Sequence, residues 1–384
     1  MDVRMKKDDL TRTITFTPPL YKQRYHFIKQ LVNKHKPKKV ADLGCADCRL
    51  LWMLKFCNCI EVLVGLDINE EVMKEKMHTL SPLPCDYLLP SERPLTVTLL
   101  QGSVAHKDPC MLGFDMVTCI ELIEHLEAKE LEKFPEVVFG FMSPAMIVIS
   151  TPNSEFNYLL QTVSLFRHPD HKFEWNRAQF QSWALDAAVH YDYTVEFTGV
   201  GAPPHGKDVG FCTQIGVFVR KKLRNVEPER FEKNQRSVYK TVFKAVYPSL
   251  KEEKYLQNAV VNEVVRAAEI IARRQLDYRK SESKKHHDDL TGTESRSQQS
   301  CFLKHLDDFS FSEADSKNMQ PLVRGNIIYV PLAKIFSFSK VNQLCGTFET
   351  LKNLITGKVT LSHDGSAVMI EIEYEDEQQD SDNN

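Results

Sequence analysis

The sequence predicts an α/β protein with a doubly wound, mostly parallel sheet, an antiparallel edge strand and a partly disordered C-terminal region. Three observations predict it. From Tyr21 to His190, short apolar runs alternate with helical segments, and that alternation builds a parallel sheet covered on both faces. The last two apolar runs, Tyr191 to Thr198 and Phe211 to Arg220, are joined by a loop too short for a crossover helix, so they should pair antiparallel at one edge. Beyond Lys222 the character changes, and residues 279–300, RKSESKKHHDDLTGTESRSQQS, hold almost nothing to bury.

Each element follows from its residues. YKQRYHFIKQLVN, Tyr21 to Asn33, has apolar residues at helical spacing. Lys38 to Leu43 is a short strand ending in Gly44, and Arg49 to Phe56 a helix. Ile60 to Leu66 is an apolar strand ending at Asp67, and Asn69 to His78 the next helix. Leu95 to Leu100 and Phe114 to Ile120 are the third and fourth strands, the latter running straight into ELIEHL. Ala145 to Ser150 is the fifth and breaks at Thr151-Pro152-Asn153. Asn176 to His190 is a helix, with Asn176 and Gln179 at capping-box spacing. The expected organisation is a basic arm over 1–19, the α/β domain over 20–222, a charged helical extension over 223–278, a disordered linker over 279–300, and a C-terminal region over 301–384 with an acidic tail. Within that last region NIIYVPL and SAVMIEIEY can form a small β-rich patch or dock onto the main domain.

Composition bounds the function classes. The 384 residues suffice for two domains, or for one large domain with a tail. A 42% hydrophobic and 26% charged chain is not wholly disordered, collagen-like or a disulfide mini-protein. No apolar run approaches the roughly 20 residues that span a bilayer, so no membrane partner is expected. MDVRMKKDDL lacks the apolar core of a secretory signal, and the ten cysteines are expected as free thiols in a reducing, intracellular compartment. The net charge of −3 hides an uneven spread: residues 1–40 carry eleven Lys/Arg against three Asp, and the last fourteen carry seven Asp/Glu and no Lys/Arg. The basic segment can meet phosphate, or simply be a solvated helix face and arm.

Ligands of open α/β sheets bind beyond the carboxyl ends of the strands. The first such end is Asp42-Leu43-Gly44-Cys45-Ala46, and the next strand ends at Asp67, an acid suited to a ribose diol. A dinucleotide turn needs G-x-G-x-x-G, and only its first glycine is present, so a pyrophosphate is poorly served. The D-x-G-x-A turn, Asp67 and Gly102-Ser103 after the third strand resemble the class I methyltransferase pattern, which implies S-adenosylmethionine. The turn keeps only part of that family's small residues, and Ser103 stands where an Asp is common. Asp42, Gly44, Asp67 and Ser103 are the expected cofactor residues.

The fourth strand leads into Glu121-Leu122-Ile123-Glu124-His125, and positions i, i+3 and i+4 share a helix face. Two carboxylates and an imidazole there are three ligands for a divalent ion, with Glu124 and His125 the expected catalytic pair. Taken alone, E-x-x-E-H is equally a solvated face with a packed histidine. A second segment, His168-Pro169-Asp170-His171-Lys172-Phe173-Glu174-Trp175, lies in a loop on the same side of the sheet, and His171 or His168 can supply a fourth ligand. Such an oxygen/nitrogen set without thiolate suits Mg²⁺ or Mn²⁺ and leaves two open positions for a vicinal diol, which RNA carries only at its 3′-terminal nucleotide.

ELIEHL together with HPDHKFEW resembles the small-RNA 3′-terminal 2′-O-methyltransferase family, in its animal, piRNA-methylating branch, over about residues 15–222. The resemblance implies Glu121, Glu124, His125 and His171 as metal ligands, His171 because the family's histidine directly precedes Lys-Phe-Glu-Trp. It implies Gly44, Asp67 and Ser103 at the cofactor. It also implies a single-stranded small RNA 3′ end as substrate, Piwi-type proteins that carry it, and cytoplasmic, germ-granule localisation. Double-stranded RNA-binding domains of the plant branch are not seen, and a monomer is expected. Two other functions compete: a metal-dependent O-methyltransferase of a small vicinal diol, and a non-catalytic RNA-end adaptor. Cys45-x-x-Cys48 sits in the cofactor turn and Cys57-x-Cys59 lacks the usual zinc spacing, so no zinc site is expected. Phe173 and Trp175 can stack a base or be core, Lys221, Lys222 and Arg224 can track phosphates or be a solvated edge, and His78, His106 and His190 read as surface or capping residues.

Overall fold

The computed structural model describes residues 14–160, 166–204, 208–221, 237–288 and 320–372. The basic arm before residue 14, residues 289–300 of the expected linker, Lys222, Arg224 and the acidic end after 372 lie outside them. The chain divides into two units, Met1–Tyr87 with Ser91–Ser249, and Leu88–Pro90 with Leu250–Asn384.

The first unit follows the predicted alternation. Helix α1 (Leu20–His35) precedes β1 (Lys39–Leu43), α2 (Arg49–Leu54), β2 (Val62–Asp67), α3 (Glu70–Lys76), a short α4 (Pro84–Leu88) and β3 (Leu95–Gln101). Next come β4 (Met116–Ile120), α5 (Ala128–Pro135), β5 (Met146–Pro152), a one-turn α6 (Asn157–Leu160), α7 (Arg177–His190), β6 (Tyr193–Val200), β7 (Thr213–Arg220) and β8 (Lys240–Tyr247). The Asn69 side chain caps α3 by accepting from the Glu71 and Val72 amides, with Glu70 and Glu71 in the first turn and Lys74 and Lys76 in the last, where the helix dipole favours each sign. Asn176 and Gln179 form the predicted capping box at the start of α7.

The eight strands order as β6-β7-β5-β4-β1-β2-β3-β8. β1, β2, β3, β4 and β5 pair in parallel, and β5 is buried along its whole length, as a strand covered on both faces must be. β6 pairs antiparallel with β7, as the short connection predicts, and β7 in turn pairs antiparallel with β5. One side of the sheet packs Phe134, Phe139, Phe180 and Phe218, the other Ile28, Leu51, Leu54 and Leu63. The chain winds outward from β1 in one direction and from β4 in the other, so the switch point lies between β1 and β4. Leu43 and Cys119 are register partners there, and the turns at Gly44 and Glu121 leave the sheet side by side.

Two expectations are corrected. The sheet does not close near Arg220: β8 joins its far edge antiparallel to β3 over Leu95–Gln101, so the α/β unit runs past the expected boundary at 222. KTVFKAVY hides this strand because its lysines break the apolar run. Residues 279–288, expected as the start of the disordered linker, continue helix α8 (Glu253–Asp288).

The second unit has its own core. β9 (Leu322–Arg324), β10 (Ile327–Pro331) and β11 (Ala367–Glu371) form an antiparallel sheet in the order β11-β10-β9. Helices α9 (Leu332–Phe336), α10 (Ser339–Cys345), α11 (Phe348–Ile355) and α8 bury Val264, Ala268, Ile335, Val341, Leu351 and Ile355 with Ile328 and Val330 of β10. Within NIIYVPL and SAVMIEIEY, Ile327–Pro331 and Ala367–Glu371 are thus paired strands, the β-rich alternative of the two expected. Among the described residues no helix is long and apolar enough to cross a membrane.

Candidate active site

Gly44 sits at φ +75°, a conformation open to glycine, and a Cβ there would lie 2.8 Å from Leu122 Cδ1. The turn after β1 thereby packs directly on the segment that carries Glu121 and Glu124. Gly44 N–H donates to Leu66 O at 2.7 Å, which ties the turn to β2. Asp67 accepts from Ala46 N at 2.8 Å and from Asn69 N at 2.8 Å, which fixes its carboxylate and leaves further lone pairs for hydroxyl donors. Asp42 is buried and accepts from Thr118 Oγ1 at 2.7 Å. Burial, with Asp67 nearby, pushes its carboxyl up to about 7. Ser103 Oγ donates to Glu130 Oε1 at 3.1 Å and accepts from Ala105 N at 3.2 Å, so one acceptor position remains for a ligand N–H. Tyr25 of α1 joins this end of the sheet; burial first, then Asp42 and Asp47, push its phenol up to about 12.

The segment after β4 is not the α-helix that the i, i+3, i+4 spacing suggests. It is a 3₁₀ turn, Ile123–His125, entered through Glu121 at φ +52°. The Glu121 amide donates to Ser150 O and Ser150 Oγ, which pins the exit of β4 to β5 and diverts the chain from a helical start. Glu124, His125 and His171 are brought together: one ligand atom from each lies within 4.8 Å of the others. Glu121 stands outside this group. Its Oε1 accepts from Ser150 Oγ at 2.8 Å, and its Oε2 pairs with Arg24 Nη1 at 3.2 Å.

Glu124 is fully buried. Its Oε2 accepts from Thr151 Oγ1 at 3.1 Å, while Oε1 has no hydrogen-bond partner among the described residues. Burial, reinforced by Glu121, holds this carboxyl well above the usual carboxylate range. An orphaned buried carboxylate oxygen costs about 1–3 kcal/mol or more unless something positive meets it. His125 is pushed below its ordinary value by burial and by His171 and His168, which keeps a neutral imidazole with a free lone pair. His171 Nδ1 meets Glu174 Oε1 at 2.6 Å, and the two side chains are 7% and 1% exposed. Glu174 also accepts from Arg167 N at 2.7 Å and Asn157 Nδ2 at 2.6 Å. Burial works against its ionisation, but these hydrogen bonds outweigh it and hold the carboxyl below its ordinary value. With Nδ1 engaged, His171 is left with Nε2 to offer, the orientation by which proteins prepare a metal-binding histidine. The donor set therefore fits a divalent cation.

Other sequence readings resolve as follows. The His168 ring lies 6.0 Å from that of His125, but its side chain is 55% exposed and its Nδ1 accepts from Asp170 N at 3.3 Å. Phe173 and Trp175 lie against each other with ring centroids 4.4 Å apart, and Trp175 packs on Trp183 and the core. Cys45 and Cys48 are buried in the turn, and no cysteine belongs to a metal-capable group among the described residues. His78, His106, His190 and Lys221 are exposed. Arg24, Ser150, Thr151 and Glu174 were missed by sequence reasoning. Only Glu174 lay inside a motif that could have flagged it, three residues after His171.

Residues 254–372 match a family described as HENMT1 C-terminal domain. The chain is 65% identical to a chicken (Gallus gallus) protein named small RNA 2′-O-methyltransferase, over 98% of this chain and all of that one. It is 46% identical to a mouse (Mus musculus) protein of the same name, over 94% of this chain and 91% of that one. A solved structure described as small RNA methyltransferase HEN1 superimposes with a TM-score of 0.52 at 30% identity, covering 65% of this chain and 29% of that one. With this similarity running through both units, the chain belongs to the small RNA 2′-O-methyltransferase family and is an S-adenosylmethionine-dependent methyltransferase of the class I fold.

Proposed function

We propose that the protein transfers a methyl group from S-adenosylmethionine to the 2′-hydroxyl of the 3′-terminal nucleotide of a single-stranded small RNA, in a metal-dependent reaction. The observation that carries this reading is the Glu124 Oε1 orphan beside His125 and His171, a buried carboxyl oxygen next to two imidazoles with no hydrogen-bond partner among the described residues. Glu124, His125 and His171 would hold the ion, with Glu121 as the fourth ligand on release from Arg24. A bound Mg²⁺ or Mn²⁺ supplies Lewis-acid acidification of the terminal ribose hydroxyls. Thr151 fixes Glu124, Glu174 fixes His171, and Ser150 fixes Glu121, so the donors are aimed before substrate arrives. Asp67 accepts the cofactor's ribose hydroxyls, Gly44 lets the cofactor approach the backbone, and Ser103 takes an N–H of its adenine edge. Buried Asp42 supports the turn through Thr118.

The same reading takes the RNA to be a piRNA presented by a Piwi-type protein in cytoplasmic germ-cell granules, with the enzyme acting as a monomer. The motif resemblance and the relatives named for small RNA support it. The test is transfer of a labelled methyl group to a single-stranded RNA, compared with the same RNA after periodate oxidation of its terminal diol. Label only on the intact diol is expected. Equal label on both, or label at internal riboses, overturns the reading.

A further inference from the structure

Beside the site, a cavity of about 220 Å³ opens between the start of α7 and the ends of β6 and β7. Phe180, Phe197 and Phe211 give it flat apolar walls, and Arg177, Gln181 and Gln214 its polar edge. We propose that this cavity is a subsite for the nucleobase of the RNA's 3′-terminal nucleotide, with Gln214 Oε1 accepting an N–H from the base edge.

Four observations carry it. First, Gln214 is 6% exposed, and its Nε2 donates to Pro152 O at 3.1 Å and Trp175 O at 2.9 Å. Two carbonyl acceptors fix which end of the amide is nitrogen, so the oxygen is identified. That oxygen is buried and has no partner among the described residues. It is an unused acceptor, and a base edge carries the matching donor.

Second, the position suits the terminal base. Gln214 is the cross-strand partner of Thr151, whose hydroxyl holds Glu124. Cross-strand partners share a face with Cβ atoms roughly 5 Å apart, so the cavity lies about one ribose away from the carboxylate that would serve the 2′-hydroxyl. Third, the wall is constructed. Asn153 Nδ2 donates to Val209 O at 2.7 Å and Phe211 O at 3.0 Å, and pins the loop before β7. Gly210 turns that loop at φ +69°, and a Cβ on Gly199 would lie 2.4 Å from Phe211 Cβ. The backbone thus makes room for Phe211, which stays 39% exposed at the edge of the cavity. Fourth, aromatic walls beside a polar edge are what base stacking uses, and stacking is tolerant of which base enters.

The proposal rests on the methyl-transfer reading above, and the experiment separates the two. Full-length protein is assayed on RNAs ending in adenosine, in purine riboside, which has no N–H donor on its base, and in an abasic ribose. Transfer to the 2′-oxygen of the adenosine-ended RNA, mapped by periodate resistance, tests the reading itself. Given that transfer, the wild type should prefer adenosine over purine riboside by about 10-fold or more in kcat/KM, the value of one hydrogen bond to a buried acceptor. Gln214→Leu should abolish that preference. Phe211→Ala, at an exposed position, should lower kcat/KM for the adenosine-ended RNA by about 10-fold and leave the abasic RNA unchanged. A wild-type ratio near one, a ratio retained in Gln214→Leu, or a Phe211→Ala loss shared by the abasic RNA overturns the subsite. If Gln214→Leu does not fold, the wild-type ratio and Phe211→Ala decide the matter.

Discussion

Replacing Glu174 by Gln isolates the support behind His171, the histidine proposed to hold the metal. The carboxylate accepts three hydrogen bonds, from His171 Nδ1, Arg167 N and Asn157 Nδ2, at 2.6 to 2.7 Å, in a side chain that is 1% exposed. Glutamine keeps the shape but makes one of the two acceptor atoms a donor. In either orientation an amide NH₂ then faces an existing donor. Loss of one charge-assisted hydrogen bond in a buried place costs about 1.5–3 kcal/mol of stability. A unit of this size should therefore melt about 3–12 °C lower. The imidazole of His171 is also released from its fixed tautomer, and lost support of this kind costs about 10–100-fold in metal affinity. The assay is a titration of methyl transfer with Mg²⁺ and with Mn²⁺ for wild type and Glu174→Gln below their melting points. The half-saturating metal concentration should rise about 10–100-fold, while the rate at saturating metal returns to within a few-fold. A rate depressed equally at every metal concentration, with an unchanged half-saturation point, refutes the argument and makes Glu174 a packing residue.

Other outcomes follow from the same geometry. His171→Ala should raise the metal requirement and lower the rate together by about 10–100-fold or more, whereas His168→Ala, on an exposed side chain, should change either by only a few-fold; the larger effect on His168 reverses the assignment. Asp42 has a folded-state carboxyl raised from 3.8 to about 7, so the stability it contributes is present below about pH 4 and is lost as pH rises through 7, a change of order 4 kcal/mol at most. Melting of cofactor-free protein should accordingly fall less between pH 4 and 7 in Asp42→Asn than in wild type, and identical pH slopes contradict this. A chain ending at 249 should keep a folded α/β unit, one ending at 222 should melt lower because β3 loses its partner β8, and one ending at 278 should aggregate because it removes the sheet that α8 packs on. Equal melting of the 222 and 249 forms sinks the β8 argument.

The legible part of the fold was the part in which one physical signal dominates. β1, β2, β4 and β5 are nearly continuous apolar runs because both faces of a parallel sheet are covered, and their limits were read to within two residues. The capping box at Asn176 was legible because its two side chains lie three residues apart. β8 was not: its exposed face carries Lys240 and Lys244, and its pairing partner is more than 130 residues away, which no local pattern reports. The turn at Glu121 failed for a related reason. E-x-x-E-H has helical spacing, but hydrogen bonds to Ser150 decide the backbone, and those are tertiary. At the site, Glu124 with His125, and His171 with Glu174 three residues on, lie inside the two short motifs ELIEHL and HPDHKFEW, where a local reading of the sequence reaches them. Arg24 and Thr151 could not, since an arginine on an amphipathic helix and a threonine at a strand end are ordinary until the fold brings them to Glu121 and Glu124.

The most direct test of the account is methyl transfer by full-length protein stripped with a chelator, on a single-stranded RNA with an intact 3′-terminal diol. The account predicts no transfer in the chelator, restoration by Mg²⁺ or Mn²⁺, and a product that resists periodate. It also predicts that Glu124→Gln, although folded and able to bind S-adenosylmethionine, gains no activity at any metal concentration. Undiminished transfer in excess chelator, or full activity of Glu124→Gln, would contradict the claim that Glu124, His125 and His171 act by holding a divalent ion.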